Sequence, residues 1–147
     1  PMGFAMAGLA KAVGVIPDGQ HVCNETLRLW ANTPALESSL MFQSDNLSHT
    51  GFLAKSFSSG GKRLHREGPA ARDSKGGLGG TLDSLPKLLE SRIADGVLTW
   101  AQAIRGGCEI PGALVGNRGQ LKVGMLADFV ALGKESLTWI AAYQTSL

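Results

Sequence analysis

Two short apolar segments, "VGVI" at residues 13–16 and "SSLMF" at residues 38–42, flank a stretch with helical spacing. Their order constrains the fold more than any other feature of the sequence. Each segment is too short for a helix and has the continuous apolar character of a buried strand. Between them, "NETLRLWANT" sets Leu27, Trp30 and Ala31 along one face, with Asn24 as candidate cap and Arg28 facing outward. A strand, a helix and a second strand in that order predict parallel strands joined by a crossover, hence an α/β sheet or barrel. In such folds, function gathers where the strands end. His21 and Asp45 each lie just after one of the two predicted strands.

The remaining elements follow from local pattern. "FAMAGLAKAV", at residues 4–13, is rich in small apolar residues and predicts a helix, and the Pro17, Asp18, Gly19 turn ends the strand that follows. From Phe52 to Gly80 the composition shifts to Gly, Ser, Lys and Arg. That stretch predicts a long loop with one or two irregular hairpins around "SGGKR" and "REGP", or a partly disordered segment. "TLDSLPKLLESRIADG" predicts a helix, with Thr81 or Ser84 as cap and Pro86 in the first turn. "LTWAQAIRGGCEIPGALVG" predicts a helix capped at Thr99, stopped at Gly106 and Gly107, and followed by a short second helix. The tail predicts two or three strands.

Composition removes several function classes. The chain has 147 residues, enough for one domain with a core, and no apolar run approaches a membrane span, so a soluble, cytoplasmic protein without membrane partners is expected. A formal charge of +2 is too small to suggest nucleic-acid binding. "SGGKRLHRE" does gather Lys62, Arg63, His65 and Arg66, but Phe57 is the nearby stacking aromatic and Glu67 and Asp73 dilute the charge. A solvated hairpin is the simpler reading. "GGLGG" lacks the Lys-Ser/Thr and glycine spacing of a P-loop. Cys23 and Cys108 have no metal-ligand spacing and read as free thiols. The opening residues carry no basic signal-peptide start, and a chain beginning at Pro1 reads as a piece of something longer.

Four segments carry a family resemblance. They are "GVIPDGQHV", "LMFQSDN", "GGLGGTLDSL" and "NRGQLKVGMLADFVAL". In order and spacing they resemble the C-terminal part of the amidohydrolases, and within these the N-acetylglucosamine-6-phosphate deacetylases. The first is similar to a strand followed by a DG-x-HV signature. The second resembles the last barrel strand with its Thr-Asp-Ala ending, here Ser44, Asp45 and Asn46, and the last resembles the tail "RGxLxxGxxADxVxL". The resemblance implies the C-terminal part of a TIM-like (β/α)8 barrel plus a few C-terminal β-strands of a small accessory β-sandwich. Residues 1–106 would form the partial barrel, with the Gly-rich loop at 52–80, and residues 107–147 the last helix and the C-terminal strands.

The same resemblance assigns roles. Asp45 falls on the catalytic carboxylate of a metal-dependent amide hydrolysis that releases acetate from an N-acetyl amino sugar phosphate. His21 falls on a substrate-contacting histidine, with Leu78, Gly79 and Thr81 as further contacts. Without the resemblance, Asp45 reads as a loop cap or Asx turn, and His21, His49 and His65 as surface residues. The family's divalent metal, zinc or iron-like, is held by a glutamate and two histidines on earlier strands, which would precede Pro1. The resemblance therefore implies a fragment inactive alone, forming a homo-oligomer or associating with a missing N-terminal part. The rival reading is a non-catalytic binding or assembly module derived from the same fold.

Overall fold

The computed structural model describes residues 3, 5, 7–116, 118–133 and 139–144. The predicted pair of parallel strands is present. β1 (Val13–Val15) and β2 (Leu40–Phe42) pair in parallel, with Val13 opposite Leu40 and Val15 opposite Phe42. Between them lie α1 (Asn24–Ala31) and a one-turn helix α2 (Pro34–Glu37), absent from the sequence reading. Cys23, rather than Asn24, occupies the cap position of α1, and its side chain makes no capping bond. Asn24 is instead in the first turn, where its Oδ1 accepts from Arg92 Nη1 at 2.8 Å.

The main core forms where α1, α2 and the two strands meet the later helices. Leu27, Leu36, Leu40, Phe42, Val97, Leu98 and Ala103 are buried together, with Trp30 and Ile93 packed against them. Burial of a large aliphatic side chain contributes about 1.5–3 kcal/mol. The helix expected over residues 4–13 is only partly accounted for. Gly3 and Ala5 are helical, Phe4 and Met6 lie outside the described residues, and residues 9–12 are not helical because the chain is already extending into β1.

Residues 52–80 depart most from expectation. The long loop is a four-stranded antiparallel sheet in the order β3 (Ser56–Ser59), β4 (Lys62–Glu67), β5 (Ala70–Asp73), β6 (Leu78–Thr81). Its turns sit at the anticipated glycines; Gly60 and Gly61 have φ of 56° and 74°, the doubly left-handed geometry that joins tight hairpins. The strands were hidden because the sheet buries few side chains. Leu64, Ala71 and Leu82, with Leu47 and Phe57 against them, make a small second core. Asp73 anchors the β5–β6 turn, its Oδ1 accepting from the backbone N–H of Lys75 and of Gly77, both at 2.9 Å.

After the sheet comes α3 (Leu85–Ala94), with Ser84 at its cap position and Pro86 in its first turn. The next helix begins at α4 (Trp100–Ile104) with a full capping box between Thr99 and Gln102. It does not stop at Gly106 and Gly107. It continues through a wider π turn over Arg105–Glu109 into α5 (Ile110–Leu114). The glycine serves proximity: a Cβ at Gly106 would lie 2.6 Å from Phe42 ring carbons and 2.9 Å from the Leu40 carbonyl oxygen. The missing side chain lets the helix rest directly on β2. The tail strands β7 (Phe129–Leu132) and β8 (Trp139–Tyr143) pair antiparallel.

Two outcomes test this account. Gly106→Ala is expected to destabilise the protein by about 1–3 kcal/mol through overpacking, seen as a lower urea midpoint. Gly107→Ala, whose Cβ meets Leu89 Cδ1 at 3.2 Å, should lose less. Separately, the backbone hydrogen bonds from Gly77 and Lys75 hold the Asp73 carboxyl below its ordinary range. A lowered folded value means that the stabilisation is present above the unfolded carboxylate pKa of about 4 and is lost as pH falls through the folded one. The urea midpoints of the parent and Asp73→Ala should therefore differ at neutral pH and converge in acid.

Candidate functional site

The turn after β1 is built around Asp18. Its side chain is buried, and Oδ1 accepts from the backbone N–H of Gln20 at 2.9 Å and of His21 at 2.8 Å. This is the local loop closure that short polar side chains provide. The second oxygen, Oδ2, lies 2.7 Å from His21 Nδ1. The imidazole is thus fixed at one nitrogen, and its Nε2 faces the loop after β2, 3.7 Å from Asp45 Oδ2. Arg72, on β5, secures the turn from outside by donating from Nη2 to Gln20 Oε1 at 2.7 Å.

Asp45 has a φ of 51°, and no other non-glycine among the described residues has a positive φ. Aspartate tolerates the left-handed region better than most residues, and unusual backbone angles concentrate at functional sites. Here the surroundings impose the angle. Asp45 O accepts from Thr81 N at 2.9 Å, and Leu47 N donates to Thr81 O at 2.9 Å, bracketing a parallel bridge between Asn46 and Thr81. The Thr81 hydroxyl donates to Ser44 O at 2.6 Å. Asn46 Nδ2 contacts Thr50 Oγ1 at 3.0 Å, Thr81 Oγ1 at 3.2 Å and Asp83 O at 2.5 Å. Gly80 makes room, since a Cβ there would lie 2.9 Å from Asp45 O, and its φ of 122° suits glycine alone. The backbone is clamped while the Asp45 side chain is 51% exposed, leaving its carboxylate open to solvent.

The predicted residues thus fall into two groups. His21, Asp45 and Thr81 come together from three separate segments. Thr81 is fully buried, and its hydroxyl is engaged in holding the Asp45 loop. Leu78 and Gly79 lie farther along β6; Leu78 is paired with Arg72, and a Cβ on Gly79 would be 2.8 Å from Leu64 Cδ1. His49 is stacked on Phe57 with ring centroids 4.2 Å apart, and His65 is exposed on β4. The sequence reading missed two contributors, Asn46 and Gly80. Asp18 and Gly19 read from the sequence as the turn that aims His21, and the structure adds that the Asp18 side chain itself fixes the ring.

The arrangement leaves few donors for a divalent metal. Asp18 uses both oxygens within its turn, and His21 Nδ1 is taken by Asp18, leaving His21 Nε2 and the Asp45 carboxylate. Catalytic zinc sites draw on three protein ligands. Among the described residues, no group of three or more His, Cys, Asp and Glu side chains is placed to hold a metal ion. The described residues do not fit a metal centre.

No protein-family model and no curated protein sequence matches the chain. Solved structures do. N-acetylglucosamine-6-phosphate deacetylase from Pasteurella multocida superposes with a TM-score of 0.79 at 21% identity, over 90% of this chain and 35% of that one. The chain has the fold of part of a deacetylase. The Thermotoga maritima deacetylase gives a TM-score of 0.78 at 16% identity, over 90% of this chain and 37% of its own. An Asp-to-Ala variant of the Mycobacterium smegmatis deacetylase, in complex with N-acetyl-D-glucosamine-6-phosphate, gives 0.75 at 22%, over 90% and 36%. The chain thus spans little more than a third of the length of these deacetylases.

Away from His21 and Asp45, the deacetylase-like fold carries an open apolar cleft of about 1220 Å³ between the α4–α5 helical run and the tail strands. Trp100, Ile104, Val115, Leu121, Val130 and Tyr143 line it and are exposed. Cys23 and Cys108 are both free. No helix among the described residues is long and apolar enough to cross a membrane.

The clamp yields a direct test. Thr81→Val keeps the shape of the side chain but leaves Ser44 O without its buried donor. A loss of about 1–3 kcal/mol in urea unfolding is expected, with amide shifts concentrated at residues 44–47 in NMR spectra.

Proposed function

We propose that the chain is the C-terminal part of a metal-dependent amidohydrolase acting on an N-acetyl amino sugar phosphate, the last portion of a TIM-like barrel with strands of an accessory β-sandwich. One observation carries the reading: His21 and Asp45, at the C-terminal ends of two parallel neighbouring strands, approach to 3.7 Å. Parallel α/β folds place ligands at that end of the sheet. The solved deacetylases of the same fold name the substrate class, and one of them holds N-acetyl-D-glucosamine-6-phosphate.

In amide hydrolysis, a carboxylate must take a proton from the attacking water and return it to the leaving amine. Asp45 is the group for that exchange, being partly exposed on a clamped backbone. His21 contacts the sugar phosphate through Nε2. The products are acetate and the free amino sugar phosphate, so the proton balance closes on Asp45. The divalent metal of the intact enzyme is held by residues outside this chain. The barrel portion is residues 1–106, and residues 107–147 supply the last helix and the tail strands. The exposed apolar cleft is where the rest of the enzyme, or a second copy, packs.

Acetate release from N-acetylglucosamine 6-phosphate is the measurement that checks this reading. The 147-residue chain alone is expected to be inactive with or without added zinc. Joined to or mixed with the N-terminal part of a related deacetylase, it should support turnover, and Asp45→Asn should lower kcat by at least about 100-fold. Turnover by the isolated chain, or full activity of the reconstituted Asp45→Asn variant, would overturn the assignment.

A further inference from the structure

We propose that Asp18 is a positioning residue that holds the proton of neutral His21 on Nδ1, so that the ring presents Nε2 to the ligand as a hydrogen-bond acceptor. The inference rests on the reading of His21 as a substrate contact but is tested without it. A neutral imidazole carries one N–H, and its position is set by the partners of the two nitrogens. Nδ1 lies 2.7 Å from Asp18 Oδ2, a full hydrogen-bond distance, whereas Nε2 lies 3.7 Å from Asp45 Oδ2, beyond one. Asp18 is buried and accepts two backbone N–H groups at Oδ1, an environment suited to a carboxylate with no proton to give. The N–H therefore belongs on Nδ1.

The consequence reaches the ligand. With the proton on Nδ1, His21 Nε2 and Asp45 Oδ2 are two acceptors facing one another across a gap. A ligand atom entering there must bring a hydrogen, as a sugar hydroxyl does. Donation from Nε2 would require a second proton on the ring. Asp18 thus determines which polarity of group His21 recognises, acting through the ring and not by touching the ligand.

The experiment is a long-range ¹H–¹⁵N correlation spectrum of the ¹⁵N-labelled chain at mildly alkaline pH, with His49 and His65 as internal references. His21 is expected as the Nδ1–H tautomer. In Asp18→Asn, the amide oxygen can still accept from Gln20 and His21 N–H while Nδ2 donates to the ring, so the proton should move to Nε2. A merely structural Asp18 would not invert the pattern. An Nε2–H tautomer in the parent overturns the proposal, and so does an unchanged tautomer in Asp18→Asn. If that variant fails to fold, the parent spectrum decides alone. Adding N-acetylglucosamine 6-phosphate to the reconstituted enzyme tests the substrate reading separately. A shift at His21 Nε2 supports it, and no shift removes the contact while leaving the tautomer result standing.

Discussion

The parallel pairing of β1 with β2 is the constraint from which the site follows. Only three residue pairs are in register, Val13 with Leu40 through Val15 with Phe42. Because the strands are parallel, both chains leave the sheet at the same end, and the two loops that carry His21 and Asp45 emerge side by side. The register is secured from beneath. Leu40, Phe42 and Val15 point into the main core, and the helical run at Gly106 rests against Phe42 without an intervening side chain. A slip of one residue would turn these side chains away from the core. It would also shift the Asp45 loop along the sheet, so packing and site geometry are set by the same contacts.

Above that pair, the site is held by side chains whose hydrogen-bonding capacity is spent on the backbone. Asp18 closes its own turn and fixes a ring; Thr81 and Asn46 fasten the chain around Asp45. Asp45, by contrast, keeps its carboxylate partly open. This division of labour among neighbouring polar residues is how a short loop keeps a charged group in one place without a rigid element beneath it. It also gives a physical account of Asn46, where the deacetylase pattern has alanine. Its amide links the Asp45 loop to the Asp83 carbonyl across the chain.

Much of this was legible in the sequence where apolar residues are periodic or continuous. β1, α1 and β2 follow from "VGVI", "LRLWA" and "LMF", and α3 from its Leu pattern after Ser84. The sheet over 56–81 was not legible. Its strands present mostly charged and small residues, with Leu64 the one buried large side chain on β4, so alternation gave no signal. The continuation through Gly106 was obscured for a different reason. Glycine lowers helix propensity by about 1 kcal/mol per residue, and only the tertiary contact with Phe42 accounts for its presence. At the site, the resemblance to the deacetylases pointed to His21 and Asp45. The contributions of Gly80 and Asn46 come from contacts between segments more than thirty residues apart, to which no local pattern is sensitive.

The bridge between Asn46 and Thr81 has a consequence for how this architecture tolerates change. The chain departs from the parallel-strand part at Asn46, builds a small sheet, and returns at Thr81 to bond with the point of departure. Seen from β2 and α3, everything between is a closed excursion. Doubling the length of such a closed segment adds only about 0.6 kcal/mol of closure entropy. Insertions, deletions or exchange of the whole sheet can therefore accumulate inside it over evolutionary time without displacing the carboxylate at its base, provided the neck is kept.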